Sequence, residues 1–277
     1  MKKPTMSYFQ RNPKHSLGVA PRVVEFVGVT ASGKSTLVAA VKRELERQGL
    51  AATEQYDAIL TTYKMSFVQN PRLKSVLIDC LAFPSFLRSL FRPGGAKLFR
   101  QASRAILRDA GSFPAAANLL RNVIKRIGVS VLLESFRTRR GRWDYVLCDE
   151  GSVHIAHNLF VHVDPPPQQK EVECFARVVP RPDLLVWVTA DAENMVKCIS
   201  DRGHRRVPAS PAAAKLFVEH GLRVFSMLCA AHGKKESLLV VRNRFAKGRN
   251  GEHDLRREVK SVVDFVKDGC WAERCCS

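Results

Sequence analysis

Gly28-Val29-Thr30-Ala31-Ser32-Gly33-Lys34-Ser35, with Thr36 behind it, fits the spacing GxxxxGK[ST]. The residue types say what such a stretch can hold. Two glycines let the chain bend so that successive backbone N–H groups point inward at an anion. A helix opening at Gly33–Ser35 adds the positive end of its dipole. Lys34 brings an ammonium to phosphate oxygens, and the Ser35 hydroxyl brings a ligand for Mg2+. The chemistry is the binding of a nucleoside triphosphate with its metal, and Gly28 through Thr36 are the candidate contacts.

A phosphate-bound metal needs an anionic partner at the end of a neighbouring strand. Tyr145-Val146-Leu147-Cys148-Asp149-Glu150 supplies one, with four apolar residues and then two carboxylates. Asp149 is the candidate for the metal side, together with Ser35. Glu150 shares that role or polarises an acceptor. The loop Asp201-Arg202-Gly203-His204-Arg205-Arg206 is a third constellation. Phosphoryl transfer spreads negative charge over equatorial oxygens, and the planar guanidinium fork binds such oxygens bidentately. Arg202, Arg205 and Arg206 therefore read as a mobile lid over 201–208. The candidate catalytic set is Lys34, Asp149, Glu150, Arg202, Arg205 and Arg206. His154 and His157 lie one helical turn apart just beyond, with His162 following. They can serve packing, contact an acceptor or, with a third ligand, bind zinc.

These residues need elements to place them. Val23–Val27 is an apolar run that reads as a buried strand, and Leu37, Val38, Val41 and Leu45 follow at helical spacing until Gly49. Further strands are expected over 50–53, 145–148, 183–189 and 237–241, with helices over 192–200, 212–231 and 255–267. Short apolar strands alternating with helices predict an α/β fold, a parallel sheet covered by helices on both faces. Ligands then bind at the carboxyl ends of the strands. Residues 59–141 break the pattern with four helical pieces, near 59–69, 73–91, 97–110 and 115–139. Pro71, Pro84, Pro93-Gly94-Gly95, Gly111 and Pro114 punctuate them. This is a helical insertion. Residues 1–21 read as a flexible N-terminal segment, 22–268 as the domain, and 269–277 as a Cys-rich tail.

The chain has 277 residues and 45% hydrophobic content, enough for a sizeable core. Met1–Pro21 has no apolar signal region, and no apolar run approaches the ~20 residues that span a bilayer. A cytoplasmic protein is expected. Eight cysteines form no CxxC pair and read as reduced thiols, mostly in apolar surroundings. The tail residues Cys270, Cys275 and Cys276 match no prenylation box and read as free thiols on a frayed end. The net charge is +19, and fifteen Lys and Arg between Arg72 and Arg142, opposed only by Asp79, Asp109 and Glu134, contribute +12 of it. Such a field attracts polyanions, whether nucleic acid, anionic lipid or phosphorylated substrates, unless it is spread over solvated helix faces. Phe83, Phe86, Phe91 and Phe99, interleaved with Arg88, Arg92 and Arg100, suit either an anionic membrane surface or an amphipathic helix.

In order, VEFVGVTASGKSTL at 24–37, CDEG at 148–151 and PDLLVWVTADAENMVKCISDRGHRR at 182–206 resemble the opening segment, strand-end acidic motif and arginine lid of thymidylate kinases. That is one branch of the nucleoside-monophosphate-kinase-like P-loop kinases, P-loop NTPases by fold. The likeness covers 22–55 and 144–268 and leaves the insertion unmatched. It implies a five-stranded parallel sheet with the phosphate-loop strand central, ATP and Mg2+ as cofactors, and γ-phosphate transfer to a small bound acceptor. Three departures bear on that acceptor. Thr30-Ala31 stands where the family carries Asp-Gly, Glu150 stands where it carries Arg, and Thr53-Glu54-Gln55-Tyr56-Asp57 offers carboxylates in place of an Arg. These changes remove cations from the acceptor side, unless arginines of the insertion restore them. They favour an alcohol, such as a sugar or nucleoside, with Glu54, Asp57 or Glu150 as base. The expected partners are ATP, the acceptor, a membrane or other polyanion on the insertion, and a second copy in a homodimer. The alternatives are a P-loop ATPase switch, or a module that grips nucleic acid or membrane through the insertion.

Overall fold

The computed structural model describes residues 20–136, 142–204, 206–231, 237–243 and 249–274. The expected N-terminal segment falls outside this set up to residue 19, and so does Arg205. In chain order the elements are β1 (Arg22–Val27), α1 (Lys34–Arg47), β2 (Ala52–Glu54), α2 (Gln55–Thr62), α3 (Pro71–Leu90), α4 (Gly95–Asp109) and α5 (Phe113–Phe136). Then follow β3 (Tyr145–Cys148), α6 (Ile155–Phe160), α7 (Gln169–Val178), β4 (Leu184–Ala190), α8 (Ala192–Arg202), α9 (Pro211–Ala231), β5 (Leu238–Asn243) and α10 (Arg249–Arg274).

The five strands pair in parallel in the order β2-β3-β1-β4-β5. β1 is central because its residues are apolar on both faces, the pattern of a strand with no solvated side. Val24 and Phe26 face α1 and α10, where Leu37, Val41, Leu45, Val259, Val262, Val263 and Val266 close one core layer. Val27 faces the other layer, built from α4, α5, α6, α7 and α9. Glu25 shares that second face and is buried in it, a carboxylate inside a central strand.

The sheet and its strands are as the sequence predicts, with boundaries shifted by a residue or two. The insertion is helical, but Pro84 does not divide it, because it lies inside α3. Pro84 and Cys80, whose carbonyl loses its i+4 donor, are both exposed, so water satisfies the freed group. Cys80 and Cys174 are exposed, so the reduced thiols are not all core residues. The last helix continues through Arg274 instead of stopping near 267, and it takes in the backbone of most of the Cys-rich tail. α7, with Val172, Phe175 and Ala176 buried on one face, is a helix that the sequence reading did not include.

α5 is the insertion's link to the sheet. It runs against α3 in close contact, and an added Cβ at Gly128 would stand 2.1 Å from the Ala82 carbonyl oxygen. The contact needs a residue with no side chain. Gly128→Ala is expected to lower unfolding free energy by about 1–3 kcal/mol through overpacking. Urea denaturation checks this; an unchanged midpoint would show that the two helices separate freely.

Candidate active site

The loop between β1 and α1 adopts the bend its glycines permit. Gly33 caps α1 at φ 85°, in the left-handed region, and Ala31 is also left-handed at φ 70°. Gly28 packs so tightly on β4 that a Cβ would lie 2.1 Å from the Val188 carbonyl oxygen. Val29 and Ser32 are buried, and Ser32 N–H donates to the Val29 carbonyl at 3.1 Å. Asn243, at the end of β5, donates from Nδ2 to the Ser32 carbonyl at 2.7 Å and fixes the loop from below. Lys34, Ser35 and Thr36 form the first turn of α1, whose N–H groups lack intrahelical acceptors and are left for a ligand. Lys34 Nζ bends back to the Gly28 carbonyl at 3.3 Å. Burial lowers its pKa, while Asp149 and Glu150 oppose that effect.

The parallel pairing of β1 with β3 brings Asp149 to the loop: Glu25 lies opposite Cys148, so the chain leaves β3 one step further on. Ser35 Oγ donates to Asp149 Oδ2 at 2.6 Å. Asp149 Oδ1 is shielded from solvent and has no hydrogen-bond partner among the described residues. A hydroxyl touching a carboxylate with one unsatisfied buried oxygen is a donor set that suits a hard divalent cation. The residues fit Mg2+.

With this contact in place, the sheet order and the phosphate loop agree. The chain has a P-loop NTPase fold. No family model matches it, and no curated protein is similar enough in sequence to count as a relative. Among solved structures, the thymidylate kinase of Ehrlichia chaffeensis is similar at 13% identity and a TM-score of 0.43, over 88% of this chain and 98% of that one. The thymidylate kinase of Candida albicans is similar at 13% identity and a TM-score of 0.44, over 91% of this chain and 94% of that one. The fold stands on the sheet order and the phosphate loop, without appeal to these likenesses.

Glu150 is half exposed and forms an ion pair with the buried Arg126 of α5. The insertion thus brings a guanidinium to the strand-end carboxylate Glu150. Gln55, buried at the start of α2, donates from Nε2 to the Glu150 carbonyl at 3.4 Å. Arg126 Nη1 and Gln55 Oε1 are buried without hydrogen-bond partners among the described residues. Arg126 and Gln55 are among the residues around a cavity of about 270 Å3 between α5 and the β1–β3 face, with Glu25, Leu98, Ile127 and Ser152; no residue of 28–36 and neither Asp149 nor Glu150 lines it. Glu54 and Asp57, the other proposed bases, pair with Lys42 at 3.8 Å and Lys74 at 3.0 Å.

The arginine loop is less free than its composition suggests. Arg202 ends α8 and is exposed. Arg206 is largely buried and anchored to α6: it donates to the Asn158 carbonyl and to His157 Nδ1, each at 3.1 Å. His157 must then carry its proton on Nε2, which faces Thr30 Oγ1 at 3.5 Å. Burial, and then Arg126, push the Arg206 pKa down to about 10. The rings of His154 and His157 stack at 5.2 Å, and burial holds both well below the usual histidine range, so they are neutral at pH 7. Among the described residues no three His, Cys, Asp or Glu assemble a metal site, so the histidines do not form the zinc site their spacing allowed.

Glu25, Arg126, Gln55 and Asn243 were not among the residues picked out by motif, whereas His157 was singled out by its spacing from His154. One signal was legible, a lone carboxylate inside the apolar run Val23–Val27. Glu25 accepts from the His154 N–H at 2.8 Å and so ties the loop after Asp149 to the sheet. Burial pushes its pKa up to about 7, against the lowering effect of the His154 and Val153 amides. A carboxyl raised in the folded state contributes stability that is full below its unfolded value and is lost as pH rises through the folded one. The buried histidines act in the opposite sense below about pH 6.5, so the wild-type profile mixes the two. Glu25→Gln isolates the carboxyl. Between pH 5 and pH 8 its stability is expected to gain about 2–3 kcal/mol relative to wild type. Parallel denaturant titrations read this difference; a gap independent of pH would show that Glu25 does not titrate in the folded chain.

Proposed function

We propose that the chain is a phosphotransferase that moves the γ-phosphate of ATP, bound with Mg2+, to a small acceptor held beside Arg126. The observation that carries the reading is the 2.6 Å contact from Ser35 to Asp149, whose second oxygen is buried and unsatisfied. A divalent metal held there would supply charge neutralisation for the phosphates. Ser35 and Asp149 would hold it. The amides of Gly33–Thr36 and the Lys34 ammonium would bind the triphosphate, with the phosphate oxygens taking the place of the Gly28 carbonyl at Nζ. Arg206, fixed by neutral His157, and Arg126 add two further guanidinium groups to the field of the site. Both are in place before any ligand arrives, which is the condition for electrostatic preorganisation. Arg202 and Arg205 complete the proposed lid.

The acceptor reading follows from Arg126. Its Nη1, buried without a partner among the described residues, suits an acceptor that carries an anionic oxygen. That favours a nucleotide over an uncharged sugar or nucleoside. An ATP-to-ADP assay against nucleoside monophosphates, nucleosides and sugars is expected to find turnover with an anionic acceptor. Lys34→Ala should abolish it. Arg126→Lys, which keeps the charge and loses the fork, should raise the acceptor KM about tenfold or more and leave the ATP KM unchanged. Turnover surviving Lys34→Ala would discard the phosphate site; an unchanged acceptor KM in Arg126→Lys would move the acceptor elsewhere.

A further inference from the structure

A second cationic site lies away from the phosphate loop, between α4 and α7. Its cavity measures about 290 Å3 and is bordered by Lys97, Arg100 and Arg104 of α4 and Lys170 of α7, with Phe160 beneath. Gln101 and Arg108 lock the two helices together, donating to the Glu171 carbonyl at 2.7 Å and to its carboxylate at 2.6 Å. Glu171 is the one carboxylate on the cavity, and Arg108 already occupies it. Lys97, Arg100, Arg104 and Lys170 have no carboxylate partner among the described residues. Elsewhere in the insertion Lys74, Arg92, Arg121, Lys125 and Arg126 pair with acids, while Arg72 and Arg88, outside the cavity, have no carboxylate partner among the described residues.

Lys97, Arg100 and Arg104 repeat at three and four residues and so share one face of α4. The row spans about 10 Å, close to the screening length at physiological salt, so the charges act together. Leu107 continues this face one turn beyond Arg104 and is 80% exposed. Phe91 and Phe113, at the two ends of α4, are 91% and 86% exposed. A soluble phosphate needs only the cations. Exposed apolar side chains next to a cationic groove suit a phase that is anionic at its surface and apolar below it.

We propose that the α4–α7 groove receives the phosphate headgroup of an anionic lipid and docks the chain on a membrane surface, with Leu107 reaching the acyl boundary. This site is independent of the kinase reading. The test is co-sedimentation of the full chain with vesicles of phosphatidylcholine, alone or with one-fifth phosphatidic acid. Wild type should bind the anionic vesicles at least tenfold more tightly than the neutral ones. Arg100→Glu/Arg104→Glu should lose that preference, since each basic residue at a lipid surface contributes about fivefold. Lys97→Gln/Lys170→Gln, drawn from both helices, should weaken binding in the same direction and covers the case where the first pair fails to fold. Leu107→Ser should weaken vesicle binding and leave binding of inorganic tripolyphosphate unchanged. Arg43→Glu/Arg223→Glu carries the same charge change outside the groove and should bind like wild type. Equal binding to neutral vesicles overturns the proposal, as does an equal loss in the control pair. Duplex RNA or tripolyphosphate captured through Arg100 and Arg104 while vesicles are ignored would assign the groove to a soluble polyanion and overturn it as well.

Discussion

One hydrogen bond joins the two halves of the site. Ser35 belongs to the helix that follows β1, and Asp149 ends β3, more than a hundred residues later; they meet at 2.6 Å because the two strands pair in parallel. Among the described residues, Lys34 and the first turn of α1 lie beside that meeting point. If β3 were out of register by one residue, Asp149 would turn to the opposite face of the sheet and Ser35 would lose its partner. The apolar faces of β1 and β3 fix the register, so the core sets the position of the chemistry.

Burial then sets its electrostatics. Lys34, Arg126 and Arg206 crowd the same region, and desolvation lowers the pKa of both Lys34 and Arg206. A site of shielded cations facing Asp149 and Glu150 favours an incoming anion more strongly than the same residues would in water. The neighbouring histidines remain neutral, so His157 can accept from Arg206 without adding a competing charge. Glu25 works from behind. It holds the loop that follows Asp149 through backbone amides, at the cost of a carboxyl buried within the sheet.

The sheet, the phosphate loop and Asp149 were legible because each rests on local chemistry: apolar β-branched runs, glycines that permit a left-handed bend, a carboxylate at a strand end. What the sequence hid depends on how distant segments meet. Arg126 sits in a helix rich in apolar residues with nothing to mark it, and only the packing of α5 on the sheet brings it to Glu150. A cation thus stands beside Glu150, but it comes from the insertion and not from the strand-end motif. The arginine loop shows the reverse case. Its composition suggests a free lid, yet Arg206 is held down by the Asn158 carbonyl and His157, contacts that no spacing rule anticipates. Charge counting had the same limit: it measured the insertion's +12 but could not separate arginines neutralised by partners from the row left open on α4.

If Ser35 and Asp149 together make a metal site that acts on a nucleotide, loss of one carboxylate oxygen should uncouple Mg2+ from nucleotide binding. Calorimetric titration of a non-hydrolysable ATP analogue, with and without Mg2+, tests it most directly when wild type is set beside Asp149→Asn. Mg2+ should tighten binding to wild type, whereas the variant should bind the metal-free analogue equally well and show no such tightening. A variant that keeps the full effect of Mg2+ would contradict it.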